Sequence, residues 1–343
     1  MRVLYAIQGT GNGHLSRARE IVPLLKQMVE TDVLVSGYQA DVELPFKVNY
    51  RKKGLSFIFG KKGGVDIGGT FLKSNLFRLF KEVFTVPVKK YDLVINDFEP
   101  VTAWACLLKG VKCISLSHQA AVLAPNAPKP SRKNWVGFAV LKYYAPVKQK
   151  IGFHFKPYDE STFTPVIRKD IRALNTSNKG FYLVYLPAYS DDIMIKVLVE
   201  VKGCQWHVFS KHTKKEQQVN NVWIRPINNN QFVADLATCE GVLCGAGFEA
   251  PAEALYLKKK LMVIPMKYQY EQECNAAALA NLGVPVLSDF NMQQVEAIQR
   301  WTNSLKRVEV YYPDETQNIL AQLLIDYLDI KIHNSEEKLE LAI

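Results

Sequence analysis

The sequence predicts an α/β protein of two doubly wound, parallel-sheet domains that face each other across a cleft. Three observations support this. Short buried strands alternate with amphipathic helices, which is typical of a parallel sheet covered on both faces. The alternation stops and restarts around residues 157–179, a segment rich in Pro, Ser, Thr, Asp and Asn. The length of 343 residues suits two domains of about 150 residues better than one core.

The first series of elements lies in residues 1–156, the predicted N-terminal domain. A β-rich apolar run at residues 2–7 leads through a glycine-rich turn into LSRAREIVPLLKQMVE, where apolar residues recur at every third or fourth position. That spacing puts them on one face of a helix. The other predicted elements are strands at residues 31–35, 91–96 and 112–117 and a helix at residues 100–108.

The second series lies in residues 157–343, the predicted C-terminal domain. It opens with FYLVYL at residues 181–186, which is typical of a buried strand. A last helix at residues 316–328 is expected to pack back on the N-terminal domain. The other predicted elements are strands at residues 205–209, 222–225, 241–243 and 261–264 and helices at residues 191–201, 231–237, 251–257 and 275–282.

Neither a leader nor a membrane-spanning segment is expected. The N-terminal run soon reaches a glycine and has no small-residue cleavage site, and no apolar run approaches the roughly 18 residues of a spanning helix. The six cysteines form no CxxC pair, which is typical of reduced, buried thiols. The sequence therefore predicts a cytoplasmic protein, with peripheral contact at the inner face of a membrane left open.

Positive charge is concentrated in the first 156 residues. The chain has 43 Lys and Arg against 33 Asp and Glu, a net charge of +10, yet residues 1–156 alone hold 24 basic and 10 acidic residues. Residues 51–90 and 129–156 carry the excess and interleave it with aromatic side chains. This mixture suits an anionic membrane surface, and a solvated basic face over an ordinary core explains it equally. Nucleic acid is disfavoured because no recognised nucleic-acid motif is present.

A glycine-rich turn separates the first predicted strand from the first predicted helix. Its glycines are spaced GxGxG rather than GxGxxG, and no acid closes the second predicted strand, which disfavours a nicotinamide or flavin site. No Walker motif is present either. The turn does supply a flexible backbone at a helix start, which attracts anions through its free N–H groups. It consists of Gly9, Thr10, Gly11, Asn12 and Gly13, followed by His14.

His14 and Asp97 are the candidate catalytic pair. The turn places His14 at the carboxyl end of the predicted sheet, where doubly wound proteins bind ligands. Asp97 ends another strand of the same sheet. A carboxylate can orient an imidazole and raise its basicity, so the pair is suited to act as a general base. Two plainer roles stay open: a solvent-facing histidine at a helix start, and Asp97 as the N-cap of the next helix.

The most informative stretch is residues 244–277, CGAGFEAPAEALYLKKKLMVIPMKYQYEQECNAA. Its glycine turn, Gly245-Ala246-Gly247, ends a predicted strand and opens a helix, which makes a backbone cradle for phosphate. Glu253 follows within that helix start. After the next strand, a predicted loop begins at Pro265 and ends in EQECNA.

This arrangement resembles the donor-binding domain of GT-B fold glycosyltransferases. It is similar to the UDP-N-acetylglucosamine transferase of peptidoglycan synthesis and to a family of uncharacterised bacterial and archaeal glycosyltransferases. In the N-terminal half, GTGNGH resembles the GGTGGH-type turn, and VINDFEP resembles a strand end of the uncharacterised members. The C-terminal match runs from Pro226 to about Gly283. The resemblance implies two Rossmann-like domains, 1–156 for the acceptor and 157–343 for a nucleotide-sugar donor.

The resemblance also implies roles for the nucleotide-binding residues. Glu253 would accept hydrogen bonds from both ribose hydroxyls. The diphosphate would lie against the helix start after Gly245, Ala246 and Gly247. Ile227 would lie where backbone groups hold the uracil edge.

The sugar and acceptor sides are assigned in the same way. Glu271, Gln272 and Asn275 match residues that contact the transferred sugar or close that motif, and His14 matches the histidine often taken as general base. Glu replaces the commoner Asp at position 271, which leaves the donor sugar open.

Two absences bear on the mechanism. The sequence has no DxD triplet, which metal-dependent glycosyltransferases use to hold a cation, and no pair of glutamates eight positions apart around the donor helix, a mark of retaining enzymes of this fold. We therefore expect an inverting transferase without metal or cofactor, moving a sugar from a nucleotide donor, UDP being expected, to a hydroxyl acceptor that could be lipid-linked. A sugar-nucleotide epimerase of the same fold and a non-catalytic nucleotide- or glycan-binding protein remain alternatives.

Overall fold

The computed structural model contains two mainly parallel sheets connected through helices, which confirms the predicted α/β class. The structure describes residues 1–10, 12–37, 44–55, 58–59, 65–66, 75–132 and 134–340. Gly11 of the predicted turn lies outside the described residues, as do Lys133 and much of the basic stretch between residues 56 and 74.

The first sheet is built from the N-terminal part of the chain. Its strands are β1 (Arg2–Gln8), β2 (Glu30–Ser36), β3 (Tyr50–Lys52), β6 (Leu93–Asp97), β7 (Cys113–Ser117), β8 (Gln149–Phe153) and β9 (Thr162–Phe163). Among the described residues their order is β3-β2-β1-β6-β7-β8-β9, and all pairings are parallel. The short strands β4 (Ile58–Phe59) and β5 (Val65–Asp66) pair with each other, antiparallel. Strands β1 and β6 are buried on both faces, which explains their continuous apolar sequence.

The second sheet is built from the C-terminal part. Its strands are β10 (Phe181–Tyr185), β11 (Gln205–Ser210), β12 (Gln217–Val219), β13 (Val222–Pro226), β14 (Gly241–Gly245) and β15 (Lys260–Ile264). In the described chain their order is β12-β13-β11-β10-β14-β15, with only the edge strand β12 antiparallel.

Helices connect the strands in both halves. In chain order they are α1 (Asn12–Met28), α2 (Leu76–Thr85), α3 (Pro100–Lys109), α4 (His118–Val122), α5 (Trp135–Tyr143), α6 (Lys169–Arg172), α7 (Asp191–Leu198), α8 (Asn229–Thr238), α9 (Glu249–Tyr256), α10 (Tyr270–Asn281), α11 (Val295–Asn303) and α12 (Thr316–Glu340). None of the helices in the described ranges combines the length and the apolar character needed to cross a bilayer.

Two details differ from the sequence-based expectation. Strand β9 adds residues 162–163 to the first sheet, so that sheet extends past the boundary predicted between residues 156 and 157. Helix α10 begins at Tyr270 rather than at Asn275, because Gln269 caps it by accepting a hydrogen bond from the Gln272 N–H. Glu271 and Gln272 therefore lie on the first turn of a helix and not in a loop.

The last helix lies against the N-terminal half of the molecule. Helix α12 packs against α1, and the Tyr327 hydroxyl donates to the Asp92 carbonyl at 2.6 Å. The chain thus returns to the N-terminal half after completing the second sheet.

The carboxyl ends of strands from both sheets face each other. Residues that follow β1 and β7 contact residues that follow β14 and β15, as the distances below show. This is the edge at which parallel α/β sheets bind their ligands.

Candidate active site

The turn after β1 holds α1 close to the second strand. The Gly9 N–H donates to the Ser36 carbonyl at 2.6 Å. A Cβ atom at Gly9 would lie 2.8 Å from Val35 Cγ1, so a larger residue would push the turn off the sheet. Thr10 lies beside Gly37, and helix α1 starts two residues later at Asn12. Glycine at position 9 therefore places His14 at the strand end.

The structure brings His14 and Asp97 together. His14 Nδ1 lies 2.9 Å from Asp97 Oδ1, and the Asp97 side chain is fully buried while 13% of the His14 side chain is exposed. Asp97 does not cap the following helix. Glu99 does, accepting from the N–H groups of Val101 and Thr102 at 2.7 Å each.

Asp97 is held in its ionised form. Burial alone would raise the pKa of Asp97, but the charges and hydrogen bonds of Arg17 and His14 outweigh it and hold that pKa below its usual range. An ionised Asp97 can only accept, so His14 donates through its Nδ1–H. This leaves Nε2 as the lone-pair nitrogen, which is the form that a general base needs.

The residue after Asp97 has a strained backbone. Phe98 has φ = 56°, a left-handed conformation that costs a residue with a Cβ roughly 1–2 kcal/mol. Its ring stacks parallel to the His14 ring at 6.3 Å between centroids and packs on Tyr144 at 4.9 Å. The packing of Phe98 on Tyr144 holds this turn beside the His14 ring.

Side chains of helix α4 cross the cleft to the EQECNA segment. Gln119 Nε2 donates to Glu271 Oε2 at 2.9 Å and lies 3.4 Å from His14 Nε2. His118 Nε2 lies 2.7 Å from Asn275 Oδ1, and its ring stacks on Phe248 at 3.8 Å. Gln119 therefore connects the imidazole of the candidate base with the predicted sugar-contacting carboxylate.

The Gln119 amide has an unused acceptor. Its two neighbours are Glu271 and the Nε2 atom of His14, which is an acceptor in the Nδ1–H form, so the NH2 group faces them. Its Oε1 atom is buried and has no hydrogen-bond partner within the described part of the chain. A hydroxyl that enters beside it would find an acceptor ready.

The glycine turn after β14 leaves room for a ligand. A Cβ atom at Gly247 would meet nothing within 4 Å, and helix α9 begins two residues later. Asn275 Nδ2 donates to the Ala246 carbonyl at 3.1 Å, and Gln272 Oε1 accepts from the Met266 N–H at 2.9 Å. These two side chains fix the loops around the open space at the start of α9.

Glu253 pairs with a buried arginine, whereas Ile227 faces solvent. Both Glu253 oxygens accept from Arg168, at 2.7 Å from Nε and 3.2 Å from Nη2. Burial raises the pKa of Glu253 above its usual range, and Arg168 opposes that shift. Ile227 is exposed, directly after β13.

Four further residues, which the sequence did not single out, complete this arrangement: Arg17, His118, Gln119 and Glu249. Arg17 donates to Asp97 and to Glu249 Oε1, the latter at 2.5 Å. Arg17 could have been found from the sequence. It lies among Leu15, Ala18 and Ile21 on the apolar face of α1, and a buried charge needs a charged or polar partner. His118 and Gln119 could have been found as well, because two polar residues directly follow the apolar strand β7.

The sequence was also compared with known proteins. It matches the family model of glycosyl transferase family 1 over residues 1–305. A search of curated proteins found no match.

Solved structures share the fold. The kitacinnamycin glycotransferase is 13% identical with a TM-score of 0.57, covering 95% of each chain. Arabidopsis thaliana UGT89C1, solved with UDP, is 11% identical with a TM-score of 0.56, covering 95% of this chain and 94% of its own. Acinetobacter baumannii MurG is 15% identical with a TM-score of 0.51, covering 87% of this chain and 88% of its own. The GT-B fold predicted from the motifs is thereby confirmed.

Proposed function

The chain belongs to glycosyl transferase family 1 and is a glycosyltransferase, and from that premise we propose that it is an inverting enzyme that moves a sugar from a nucleotide donor, with UDP as the expected nucleotide, to a hydroxyl acceptor. The supporting observation is the contact of Gln119 with both His14 and Glu271. Two hydrogen bonds through Gln119 thus link the proposed base, His14, beside the first sheet to the EQxxNA segment beside the second.

The proposed reaction starts at His14 Nε2. This nitrogen takes the proton of the acceptor hydroxyl while the acceptor oxygen bonds to the anomeric carbon of the donor. The bond from that carbon to the diphosphate oxygen breaks on the opposite face, and the nucleoside diphosphate leaves with the electron pair. Asp97 stabilises the imidazolium that forms, because its carboxylate stays ionised beside Nδ1–H.

The donor is proposed to lie along the start of α9. Backbone N–H groups after Gly247 would meet the charge of the leaving diphosphate without a metal ion. Glu253 would accept the ribose hydroxyls with the lone pairs that Arg168 leaves unused, and the backbone at Ile227 would meet the base. Glu271 and Gln272 are proposed to contact the transferred sugar, and the buried Asn275 to hold that segment in place.

A donor screen tests the proposal. UDP-, GDP- and dTDP-sugars are added one at a time, and we expect UDP-sugars to raise the melting temperature most, since a ligand that binds only the folded state stabilises it. The best donor is then incubated with simple hydroxyl acceptors and product anomers are assigned by NMR. Retained anomeric configuration would contradict the inverting mechanism. Isomerisation of the UDP-sugar without any acceptor would favour the epimerase, and binding without turnover the non-catalytic protein.

We further propose that the N-terminal half contacts an anionic membrane surface. Phe77, Phe80 and Phe84 recur on one face of α2 and are 82%, 59% and 63% exposed. Arg78 and Lys81 flank them on the same helix. On α5, Trp135 is 72% exposed. Apolar rings that face solvent beside basic side chains match an acidic bilayer, where rings insert and cations meet lipid headgroups.

Flotation with vesicles tests this contact. The wild-type protein is expected to float at low salt with vesicles containing phosphatidylserine and not with neutral ones, and the double variant Phe77→Ser/Phe80→Ser should lose most of that binding. Leu305→Ser is the matched control, because Leu305 is 89% exposed but lies in the second half of the chain. Equal flotation of both variants, or none by the wild type, would contradict the proposed surface.

A further inference from the structure

We infer that Arg17 is the positioning residue of the active site: it orients the Asp97 carboxylate behind His14 and ties that pair to the first residue of the donor helix, Glu249. The inference rests on the proposed function, which places the base at His14 and the donor at α9.

Arg17 holds both oxygens of the Asp97 carboxylate. Arg17 Nη2 donates to Asp97 Oδ1 at 2.7 Å and to Oδ2 at 3.0 Å, and Nε donates to Oδ2 at 3.2 Å. Because the Nη2 and Nε groups of one guanidinium donate to both carboxylate oxygens, they fix the plane of the carboxylate. His14 uses one of those oxygens, so the direction of its Nδ1–H bond is set by Arg17.

Arg17 also contacts the C-terminal half of the molecule. Its Nη1 donates to Glu249 Oε1 at 2.5 Å, and Glu249 is the first residue of α9. The Gly13 backbone is also close to the Glu249 side chain, since a Cβ atom at Gly13 would lie 3.2 Å from Glu249 Cγ. One side chain therefore joins the base of the N-terminal half to the helix start at which the donor diphosphate is proposed to bind.

Packing alone does not require an arginine at this position. The Arg17 side chain is only 2% exposed and lies on the apolar face of α1. Buried ion pairs can often be replaced by apolar side chains of similar volume without loss of stability. The guanidinium is instead matched to two carboxylates that belong to two different functional elements, which points to a role in aligning them.

The charged groups around Asp97 set the direction of the electrostatic effect. His14 and Arg17 face it from α1, Glu249 from α9, and the buried Tyr5 hydroxyl from β1. Burial raises the pKa of Glu249 to about 7, with Arg17 opposing the shift. Without Arg17, burial would favour a protonated Asp97, which no longer holds His14 in the Nδ1–H form.

The test measures the tautomer of His14 in the full chain labelled with 15N-histidine. Imidazole 15N shifts distinguish Nδ1–H from Nε2–H, and His14→Gln identifies the His14 signals. We expect Nδ1–H in the wild type, loss of that form in Arg17→Met, and a mixture in Arg17→Lys. In Glu249→Ala we expect Nδ1–H to persist, because the Asp97 contacts remain.

Turnover separates the two halves of the inference. With the UDP-sugar that gives the largest shift in the donor screen, kcat should fall about 100-fold in Arg17→Met and about 10-fold in Arg17→Lys and in Glu249→Ala, while the Kd for UDP stays within about threefold. Arg19→Met, on the same helix and without a contact to the pair, is the matched control and should behave like the wild type.

Each outcome has a defined meaning. Wild-type tautomer and kcat in Arg17→Lys would overturn the inference even if Arg17→Met does not fold. Wild-type kcat in Glu249→Ala would overturn the link to the donor helix. Absence of sugar transfer by the wild-type chain would instead count against the proposed function, and the tautomer measurement would still decide whether Arg17 positions the pair.

Discussion

Replacement of His14 by alanine is expected to lower kcat by about 10²–10⁴-fold, the usual loss when a general base is removed. Gln119 reaches both His14 and Glu271 from α4, so the His14 imidazole lies beside the segment proposed to face the sugar. The Kd for UDP is expected to stay nearly unchanged, because His14 lies on the acceptor side. Steady-state kinetics with the best UDP-sugar and calorimetry with UDP measure the two quantities.

A matched histidine variant controls for the loss of an imidazole. His207 pairs with Asp235 at 2.8 Å in the second half of the chain, an arrangement similar to that of His14 with Asp97 but on the strand β11. His207→Ala should leave kcat within about threefold of the wild type. If His14→Ala also retained wild-type turnover, the assignment of the base would be wrong.

Replacement of Glu253 by alanine is expected to weaken UDP binding by about 10²–10⁴-fold. A carboxylate that accepts two ribose hydroxyls contributes hydrogen bonds to a charged group, each worth about 1.5–3 kcal/mol, and about 1.4 kcal/mol corresponds to a tenfold change. Calorimetric titration with UDP measures the loss directly. Because catalysis depends on donor binding, kcat/KM should fall with it.

The Arg168 contact requires a stability control for this variant. Removing Glu253 leaves the guanidinium of Arg168, itself buried, with Asp170 at 3.1 Å as its remaining acid partner among the described residues. Melting temperatures of Glu253→Ala and Glu253→Gln therefore accompany the titrations. Glu240→Gln, in the Glu240–Lys260 pair of the same domain, serves as the control. A lower melting temperature with unchanged UDP affinity would make Glu253 a partner of Arg168 only.

Much of the fold followed from local sequence pattern. The buried strands β1, β6 and β10 were predicted because a strand covered on both faces must be apolar along its whole length. The helix after the GTGNGH turn was predicted because its apolar residues repeat with a helical period. Boundaries were less accurate where a side-chain cap decides them, as at Gln269, which starts α10 ahead of the predicted residue.

The pairing of His14 with Asp97 could be anticipated only in part. Both residues follow strands predicted for one sheet, so the sequence indicated the same edge. Whether Asp97 would cap a helix or face His14 depended on the turn at Phe98, whose positive φ no local pattern indicates for phenylalanine. That turn leaves the cap to Glu99 and Asp97 to the imidazole.

By itself the sequence determined the class of the protein: alternating apolar strands and amphipathic helices, in two series, with glycine turns and the EQxxNA segment of a glycosyltransferase. Only the tertiary structure decided which side chains act together. Arg17 meets Glu249, and Gln119 meets Glu271, across 232 and 152 positions of the chain. Secondary structure depends on neighbours within a few residues. Such contacts depend instead on how the carboxyl ends of two sheets pack against each other, and that packing leaves no periodic pattern in the sequence.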